Sequence, residues 1–320
     1  MNNRVAYFDQ MKGLAIILVV VGHVTQFAYG LHGTDVNRFL EIFHMPVFFY
    51  ISGYFAYKTI LSIRDTWHRI WKKTHAIALP FLIWCAIWCF THENDENLSS
   101  MLMRGGGKYW FLYTLAILSI FFILYEHVAN RIKKAWLYVA LWLLPFFLLV
   151  SIKITGWGGG SWLAIDSLCN YYRYYLIGYL CRKYVRLNNI LFNNKLVYAA
   201  AVICFFLEYY FEDRTFYPLI FLGSLGGIII IQTYFSNSSD NGMIRCLSYL
   251  GTKTLPIYLI HYFFIPDLKQ VAPILQHVGN AFVVHLTLCV ILSAIIISVT
   301  LVVEKIISNN GYLNWILFGK

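Results

Sequence analysis

Hydrophobic residues recur along the whole chain in long runs that Gly, Pro, Asn and charged residues interrupt. Many of these runs approach the roughly 17 to 25 residues with which an α-helix crosses a bilayer. The pattern therefore predicts an all-α, polytopic helix bundle with about ten transmembrane segments. The predicted segments are 11–31, 39–57, 74–92, 108–126, 135–153, 164–182, 196–212, 217–235, 247–266 and 280–304.

The composition agrees with a membrane location. Of the 320 residues, 59% are hydrophobic and 12% are charged, whereas soluble domains contain about 25% charged residues. No cleavage-site pattern follows the first apolar run, so we expect that run to be retained as a helix. Apolar runs extend from end to end, which predicts one transmembrane domain over residues 1–320.

The net charge of +10 is explained by topology. With the N-terminus inside, most Lys and Arg residues fall in cytoplasmic segments, as the positive-inside rule requires. We therefore predict that both termini are cytoplasmic, and we expect no nucleic-acid partner. The seven cysteines form no C-x-x-C pair and lie mostly in apolar runs, so we expect free thiols and no metal site.

Ionisable residues inside predicted spans are costly and usually face a cavity or a partner. In "YFDQMKGLAIILVVVGHV" (7–24), His23 lies eleven positions after Lys12. At about 100° per residue the two side chains return to nearly one helix face, roughly 16 Å apart along the axis. A structural histidine is one interpretation of His23, but the shared face with Lys12 favours a functional one.

Four further polar residues lie in predicted spans. Glu41 and His44 are three positions apart in "EIFHMPVFFYISGYF" (41–55), so they should share a face of the second segment. Arg173 lies in the sixth segment and His261 in the ninth. Interfacial placement, snorkelling or a structural hydrogen bond would also explain each of them. The functional hypothesis is that all four line an externally open pocket that meets His23.

The segment between the second and third spans, "RDTWHRIWKKTH" (64–75), is predicted to be a basic cytoplasmic loop. One interpretation is that its charges set the topology and contact anionic lipid. The other is that they bind phosphates while an aromatic face receives a base. The residues concerned are Arg64, Arg69, Lys72 and Lys73, together with Trp67 and Trp71.

Five stretches, spread over nearly the whole chain, together resemble the membrane acyltransferase family 3, whose multi-span members O-acetylate polysaccharides. The branch that looks most similar is that of the fucose and exopolysaccharide O-acetyltransferases. The stretches are "RVAYFDQMKGLAIILVVVGH" (4–23), "FHMPVFFYISGYF" (43–55), "WFLYTLAIL" (110–118), "LIGYLCRKY" (176–184) and "LGTKTLPIYLIHYFF" (250–264).

The resemblance implies roles for particular residues. The family's basic residue, followed by ten residues and a histidine, corresponds to Lys12 and His23, and it implies that the histidine is catalytic. It also implies that acyl-CoA enters from the cytoplasm. The family's Arg-x-x-Arg pair is Arg69 and Lys72 here, and Lys lacks the bidentate fork of Arg. No extracytoplasmic hydrolase-like domain is expected.

These observations predict a membrane O-acyltransferase in a bacterial cytoplasmic membrane. It would transfer an acyl group, most simply acetyl, from acyl-CoA to a hydroxyl of a polysaccharide or lipid-linked glycan. His23 suits the general base because histidine titrates near neutrality. No cofactor would be permanently bound, and the oligomeric state is left open. Lys12, Arg64, Arg69, Lys72 and Lys73 are the predicted CoA-binding residues, and Glu41, His44, Arg173 and His261 the predicted partners of His23 in catalysis.

Two alternatives are compatible with a multi-span protein that contains polar residues. A transporter or flippase would also bury His, Glu and Arg, although the two halves show no matching pair of Gly- or Pro-broken segments. A scaffold for polysaccharide assembly would not depend on His23.

Overall fold

The protein is described by a computed structural model that covers residues 6–31, 35–58, 62–92, 97–132, 134–156, 162–211, 216–271 and 281–320. The regular secondary structure of these residues is helical and contains no strand, which confirms the all-α prediction. The α-helices are α1 (Ala6–His23), α2 (Asp35–Glu41), α3 (His44–Ala56), α4 (Ile63–Lys73), α5 (Leu79–Thr91), α6 (Leu98–Met103), α7 (Trp110–Ala129), α8 (Ala135–Thr155), α9 (Ile165–Lys183), α10 (Val185–Asn193), α11 (Lys195–Tyr210), α12 (Tyr217–Ser236), α13 (Gly242–Thr252), α14 (Thr254–Ile260), α15 (Ala281–Ser308) and α16 (Gly311–Phe318).

Seven helical stretches of the described chain are long and apolar enough to cross a membrane, judged by length and composition. A pair bent by 66°, α10 and α11, raises the number to eight if it counts as one span. The chain is therefore a polytopic helical membrane protein, while the count of ten and the side of the termini stay predictions. The seven stretches are Ala6–Ala28, Val36–Ala56, Ile63–Thr91, Leu98–Ala129, Trp136–Thr155, Tyr217–Ser236 and Val283–Ser308.

The segment 64–75, predicted as a loop, is helical, while its cytoplasmic side stays a prediction. Ser62 caps α4 by accepting a hydrogen bond from the backbone N–H of Asp65 (3.1 Å). A π-helical turn, Thr74–Ala78, then joins α4 to α5. Trp67 and Trp71 are exposed and four residues apart, so they lie on one face of α4. The Lys and Arg residues of α4 lie on the adjacent face, which makes the helix amphipathic.

Two predicted spans are interrupted. The helix of the second span ends at Glu41 and resumes at His44 after a two-residue turn, so these residues do not share one continuous helical face as predicted. The ninth predicted segment breaks at Lys253 and becomes a 3₁₀ helix, His261–Phe264. Pro266 explains the end of that helix, because the residue before a proline is pushed to an extended conformation.

The chain divides into two compact units. The first unit comprises Met1–Phe48 and Tyr184–Ile307, and the second comprises Phe49–Lys183 and Ser308–Lys320. Lys12, His23, Glu41, His44 and His261 belong to the first unit. Arg173 and the four cations of α4 belong to the second.

Inside the first unit, α1 crosses α13 with the two backbones in contact. A β-carbon added to Gly13 would lie 2.0 Å from the carbonyl oxygen of Leu247, and one added to Gly251 would lie 1.8 Å from that of Asp9. Glycine is thus required at both positions, as is common where membrane helices approach closely. Because α14 follows α13 after a single residue, this crossing also positions α14 against α1.

An ion pair between a half-buried lysine and a buried carboxylate holds the break between α13 and α14. Lys253, the residue between them, places its Nζ 2.8 and 3.0 Å from the two carboxylate oxygens of Glu304 on α15. The Glu304 side chain is only 5% exposed. The pair therefore ties the start of α14 to the long C-terminal span of the first unit.

We expect Glu304→Gln to lower the free energy of unfolding by about 1.5–3 kcal/mol, the usual value of a hydrogen bond to a charged group. Thermal unfolding of the purified protein in detergent measures the change. Asp240→Asn is the matched control, because Asp240 pairs with Arg245 while both are more than 70% exposed, and exposed pairs contribute little. Equal melting temperatures for both variants would contradict this prediction.

Candidate active site

His23 stands at the end of a regular helix. It is the last residue of α1, and the next five residues, Val24–Ala28, form a π-helical turn. Gly30, with φ +68°, then ends the helical segment in the left-handed conformation that glycine tolerates. Lys12 and His23 therefore lie on one uninterrupted α-helix, and their predicted separation of roughly 16 Å along its axis holds. π-turns of this kind are frequent at functional sites.

His23 contacts two residues from the end of α14. Its Nδ1 lies 2.8 Å from Nε2 of His261, and its Nε2 lies 3.1 Å from the hydroxyl of Tyr262. The two imidazole rings are stacked, with centroids 5.1 Å apart and planes 6° apart. His261 and Tyr262 are buried, and His23 is half-buried. The predicted meeting of His23 and His261 is thus present within the first unit.

Hydrogen bonding determines which nitrogen of His23 is basic. Nδ1 of His261 lies 2.9 Å from the carbonyl oxygen of Ile257, which only accepts, so Nδ1 carries the proton and donates. Nε2 of neutral His261 is then an acceptor, and Nδ1–H of His23 donates to it. The lone pair of neutral His23 is therefore on Nε2, where it accepts from the Tyr262 hydroxyl.

This arrangement suits proton abstraction from a hydroxyl. His261 fixes the tautomer and ring orientation of His23, as the orienting group does for the base of a catalytic triad. Nε2 of His23 already accepts a hydrogen bond from a hydroxyl, that of Tyr262, which is the contact a general base must make. Within the described ranges, no group of three or more His, Cys, Asp or Glu side chains is arranged to hold a metal ion.

The π-helical turn carries the next polar contact. Gln26 donates from Nε2 to the carboxylate of Glu41 (3.2 Å), which connects Glu41 to the turn that follows His23. The ring of Phe27 lies 5.6 Å from His23 and 5.9 Å from Tyr262, and it is 38% exposed. An exposed aromatic ring and an amide–carboxylate pair therefore flank the histidine.

The other two predicted partners of His23 have local contacts of their own. His44 is half-buried at the start of α3, and its Nδ1 donates to the carbonyl oxygen of Leu40. Arg173 lies on α9 in the second unit, where its Nε donates to the carbonyl oxygen of Asn170 (3.1 Å). The roles of His44 and Arg173 in catalysis stay predictions.

Lys12 forms an ion pair that the sequence reading did not assign. Its Nζ lies 2.7 Å from a carboxylate oxygen of Asp9, one turn earlier on α1. An incoming phosphate would share Lys12 with this carboxylate. The charge of Lys12 is therefore partly balanced before any ligand arrives.

The four cations of α4 differ in their surroundings. Arg69 donates from its guanidinium to the carbonyl oxygens of Ala56 and Lys58, just past the C-terminal end of α3, which is a structural contact. Lys73 is half-buried and lies within electrostatic reach of Arg69, Lys58 and Lys72. The side chains of Arg64 and Lys72 are exposed. The exposed pair is accordingly the better placed to receive a phosphate.

The comparisons with known proteins identify the family of the chain. A family model described as "Acyltransferase domain" matches residues 5–303, which is nearly the whole chain. The chain belongs to acyltransferase family 3. By family and fold it is a multi-pass membrane acyltransferase. A search of the solved structures found no match.

Three curated relatives of this acyltransferase are informative. "Nodulation protein NolL" of Mesorhizobium japonicum is 26% identical, over 99% of this chain and 91% of the relative. "Nodulation protein NolL" of Sinorhizobium fredii is 30% identical, over 64% of this chain and 57% of the relative. "Inner membrane protein YcfT" of Escherichia coli is 25% identical, over 82% of this chain and 80% of the relative.

Sequence reasoning missed one residue of the candidate site, Tyr262. It follows His261 directly, and neighbouring residues of an α-helix point about 100° apart, so helical periodicity gives no reason to place both at one contact. The 3₁₀ turn at the end of α14 nevertheless brings both side chains to His23, with the rings of His261 and Tyr262 4.2 Å apart. Pro266 was the available signal, because it predicts that a regular helix ends nearby.

Proposed function

We propose that the chain is an O-acyltransferase of a bacterial cytoplasmic membrane that uses acetyl-CoA. The acceptor would be a hydroxyl of a cell-surface or secreted polysaccharide or of a glycolipid. One observation carries the proposal: the hydrogen bonds of His261 leave Nε2 of His23 as a basic nitrogen that accepts from a hydroxyl. The inner-membrane relative supports the location.

The proposed reaction begins when the acceptor hydroxyl takes the place of the Tyr262 hydroxyl at Nε2 of His23. His23 removes the hydroxyl proton as the oxygen attacks the thioester carbonyl carbon. The tetrahedral intermediate collapses, the carbon–sulfur bond breaks, and the proton on His23 passes to the departing CoA sulfur. The products are the O-acyl ester and CoA, and His23 returns to its starting form.

The remaining predicted residues have defined roles in this scheme. His261 holds the His23 tautomer and is therefore a positioning residue. Glu41, linked to the turn after His23 through Gln26, would bind a hydroxyl of the acceptor, and His44 would lie beside it. The sequence-based role of Arg173 is to stabilise the oxyanion by its fixed positive charge.

A membrane-spanning layout suits substrates on opposite sides of the bilayer. In the proposed topology, a single domain with ten spans has both termini in the cytoplasm, and Lys12 lies toward the CoA end of α1. The roughly 16 Å from Lys12 to His23 is comparable to the reach of a pantetheine arm. The thioester would thereby reach His23 from the Lys12 end of α1.

The direct test is acetyl transfer by the purified protein. Labelled acetyl-CoA and a set of polysaccharide and lipid-linked glycan acceptors are supplied, and labelled ester and free CoA thiol are measured together. Equal amounts of both products are expected, with thiol release dependent on the acceptor. Glycan movement across proteoliposomes without acetyl-CoA, and no ester formation, would favour the transporter alternative instead.

The exposed cations of α4 yield a second prediction. We expect Arg64→Gln/Lys72→Gln to weaken acyl-CoA binding about 10-fold, equivalent to about 1.4 kcal/mol, while the rate at saturating donor changes little. The full set, with Arg69→Gln and Lys73→Gln added, should weaken it further.

The measurements are the dissociation constant for CoA and the kcat and KM for acyl-CoA. Arg245→Gln is the matched control, an exposed arginine on α13 whose partner is Asp240. Unchanged donor affinity in the fourfold variant would leave these cations with the topology and lipid role alone.

A further inference from the structure

A half-buried lysine at the end of α9 faces a buried carboxylate. Nζ of Lys183 lies 3.7 Å from Oε1 of Glu126 on α7, and the two side chains are 16% and 3% exposed. Lys183 also donates to the hydroxyl of Tyr138 and lies 4.0 Å from the centre of that ring. The ring of Tyr57 is 5.5 Å away. All four residues belong to the second unit.

Two further arginines lie at this end of the second unit. Arg182 donates to the hydroxyl of Tyr54 (3.4 Å), and its Cζ lies 5.3 Å from that ring. Arg69 interacts electrostatically with Glu126. The described residues of the segments at this end of the second unit are 57–58, 62–73, 126–132, 134 and 182–183. They contain nine Lys and Arg residues and two carboxylates, Asp65 and Glu126.

This excess of positive charge distinguishes the cluster from a structural salt bridge. The ion pair of half-buried Lys183 with Glu126 is long, at 3.7 Å, and a further cation, Arg69, stands near the same carboxylate. Of the two carboxylates, Asp65 is exposed and accepts a hydrogen bond from Ser62 at the start of α4. Glu126 is the buried one, so it is the internal anion of the cluster. Several fixed cations around one buried anion form a binding site for a further anion, and phosphate is the group that such cations bind best.

We propose that Lys183 and Arg182 bind a phosphate group of the nucleotide part of acyl-CoA, with Glu126 as the internal counter-ion that competes with this phosphate. The inference rests on the proposed function, because that function supplies acyl-CoA as the donor. Lys183 and Arg182 would thus bind CoA phosphate in addition to the α4 cations. Glu126 would lower the affinity for CoA, whereas the cations raise it. The ring centres of Tyr138 and Tyr57 lie 4.0 and 5.5 Å from the ammonium group of Lys183, and the rings hold it in place.

Two substitutions separate a binding site from a structural pair by the sign of their effects. Lys183→Gln should weaken CoA binding about 10-fold, since it removes a charged ligand of the phosphate. Glu126→Gln should tighten CoA binding about 3-fold, since it removes the competing negative charge. Isothermal titration of the purified protein with CoA, at two salt concentrations, measures both.

Matched controls make the comparison independent of folding. Lys153→Gln removes a lysine of α8 that pairs with Asp166 of α9 at 3.2 Å, so it should leave CoA affinity unchanged. Lys183→Gln/Glu126→Gln removes both charges together and avoids an unpaired buried ion. With acetyl-pantetheine, which lacks the nucleotide phosphates, Lys183→Gln should leave donor affinity as in the unchanged protein.

A purely structural pair would lower the melting temperature in both single variants and leave CoA affinity equal, which would overturn the proposal. A second contrary result would be that Lys183→Gln leaves CoA affinity unchanged but removes the stabilisation that phosphatidylglycerol gives the protein in nanodiscs. That result would assign the cluster to a lipid headgroup and would also overturn the proposal. Binding is measured with CoA that carries no acyl group, so a failure of acyl transfer does not enter the result.

Discussion

Replacing His23 with Gln or Ala is expected to lower kcat for acyl transfer by about 10²–10⁴-fold, the usual contribution of a positioned general base. The physical reason is the proton on the acceptor hydroxyl, which Nε2 of His23 is oriented to accept. Neither substitution touches the cations proposed to bind CoA, so donor affinity should be retained. The measurement is ester formation at saturating acetyl-CoA over a range of pH.

His285→Gln is the matched control, since His285 is another buried histidine of the first unit, on α15. The unchanged enzyme and this control should both gain activity as rising pH deprotonates the base, while the His23 variants should lose that dependence. Near-normal transfer by His23→Ala, with the pH profile of the unchanged enzyme, would show that another group is the base.

Sequence reasoning predicted the placement of Lys12 and His23, because both lie on one regular helix, α1. Lys12 and His23 are joined by uninterrupted α-helix, so the helical period alone places them on one face. The π-helical turn begins only after His23. An irregular turn between the two residues would have rotated one of them away from the other.

Helical periodicity does not predict the contact of His23 with His261. The residues are 238 positions apart, and their meeting depends on the backbone crossing at Gly13 and Gly251. A single sequence shows glycines at these positions but does not show which helices they bring together. The hypothesis of a shared pocket came from the position of each residue along its predicted span. That position does not show which residues of other spans contact His23.

The error at residues 64–75 has a different cause. Charge density was taken as the sign of a loop, whereas charges spaced four residues apart also suit one side of an amphipathic helix. Ser62 followed by Asp65 was a helix-start signal of the capping-box type. That signal, together with the four-residue spacing of the tryptophans, would have predicted α4.

We expect His261→Phe to lower kcat by about 10²-fold, although His261 need not touch substrate. Phe retains the ring volume beside Tyr262 but removes Nε2, the acceptor for Nδ1–H of His23. His23 is then free to rotate and to place its proton on either nitrogen, so the fraction with the lone pair on Nε2 decreases. The KM for acyl-CoA should change little, because the loss concerns the orientation of the base.

His261→Gln distinguishes this effect from a general loss of packing. The Gln amide oxygen is able to accept from Nδ1–H of His23, so this variant should recover part of the activity that Phe loses, even though Phe resembles the imidazole more closely in shape. kcat and KM for both variants, each measured across pH and beside the melting temperature, provide the test. The contrary result would be a Gln variant as inactive as the Phe variant, with both keeping the melting temperature of the unchanged enzyme. Accepting a hydrogen bond from His23 would then not be the function of His261. His261 would instead have to transfer a proton directly.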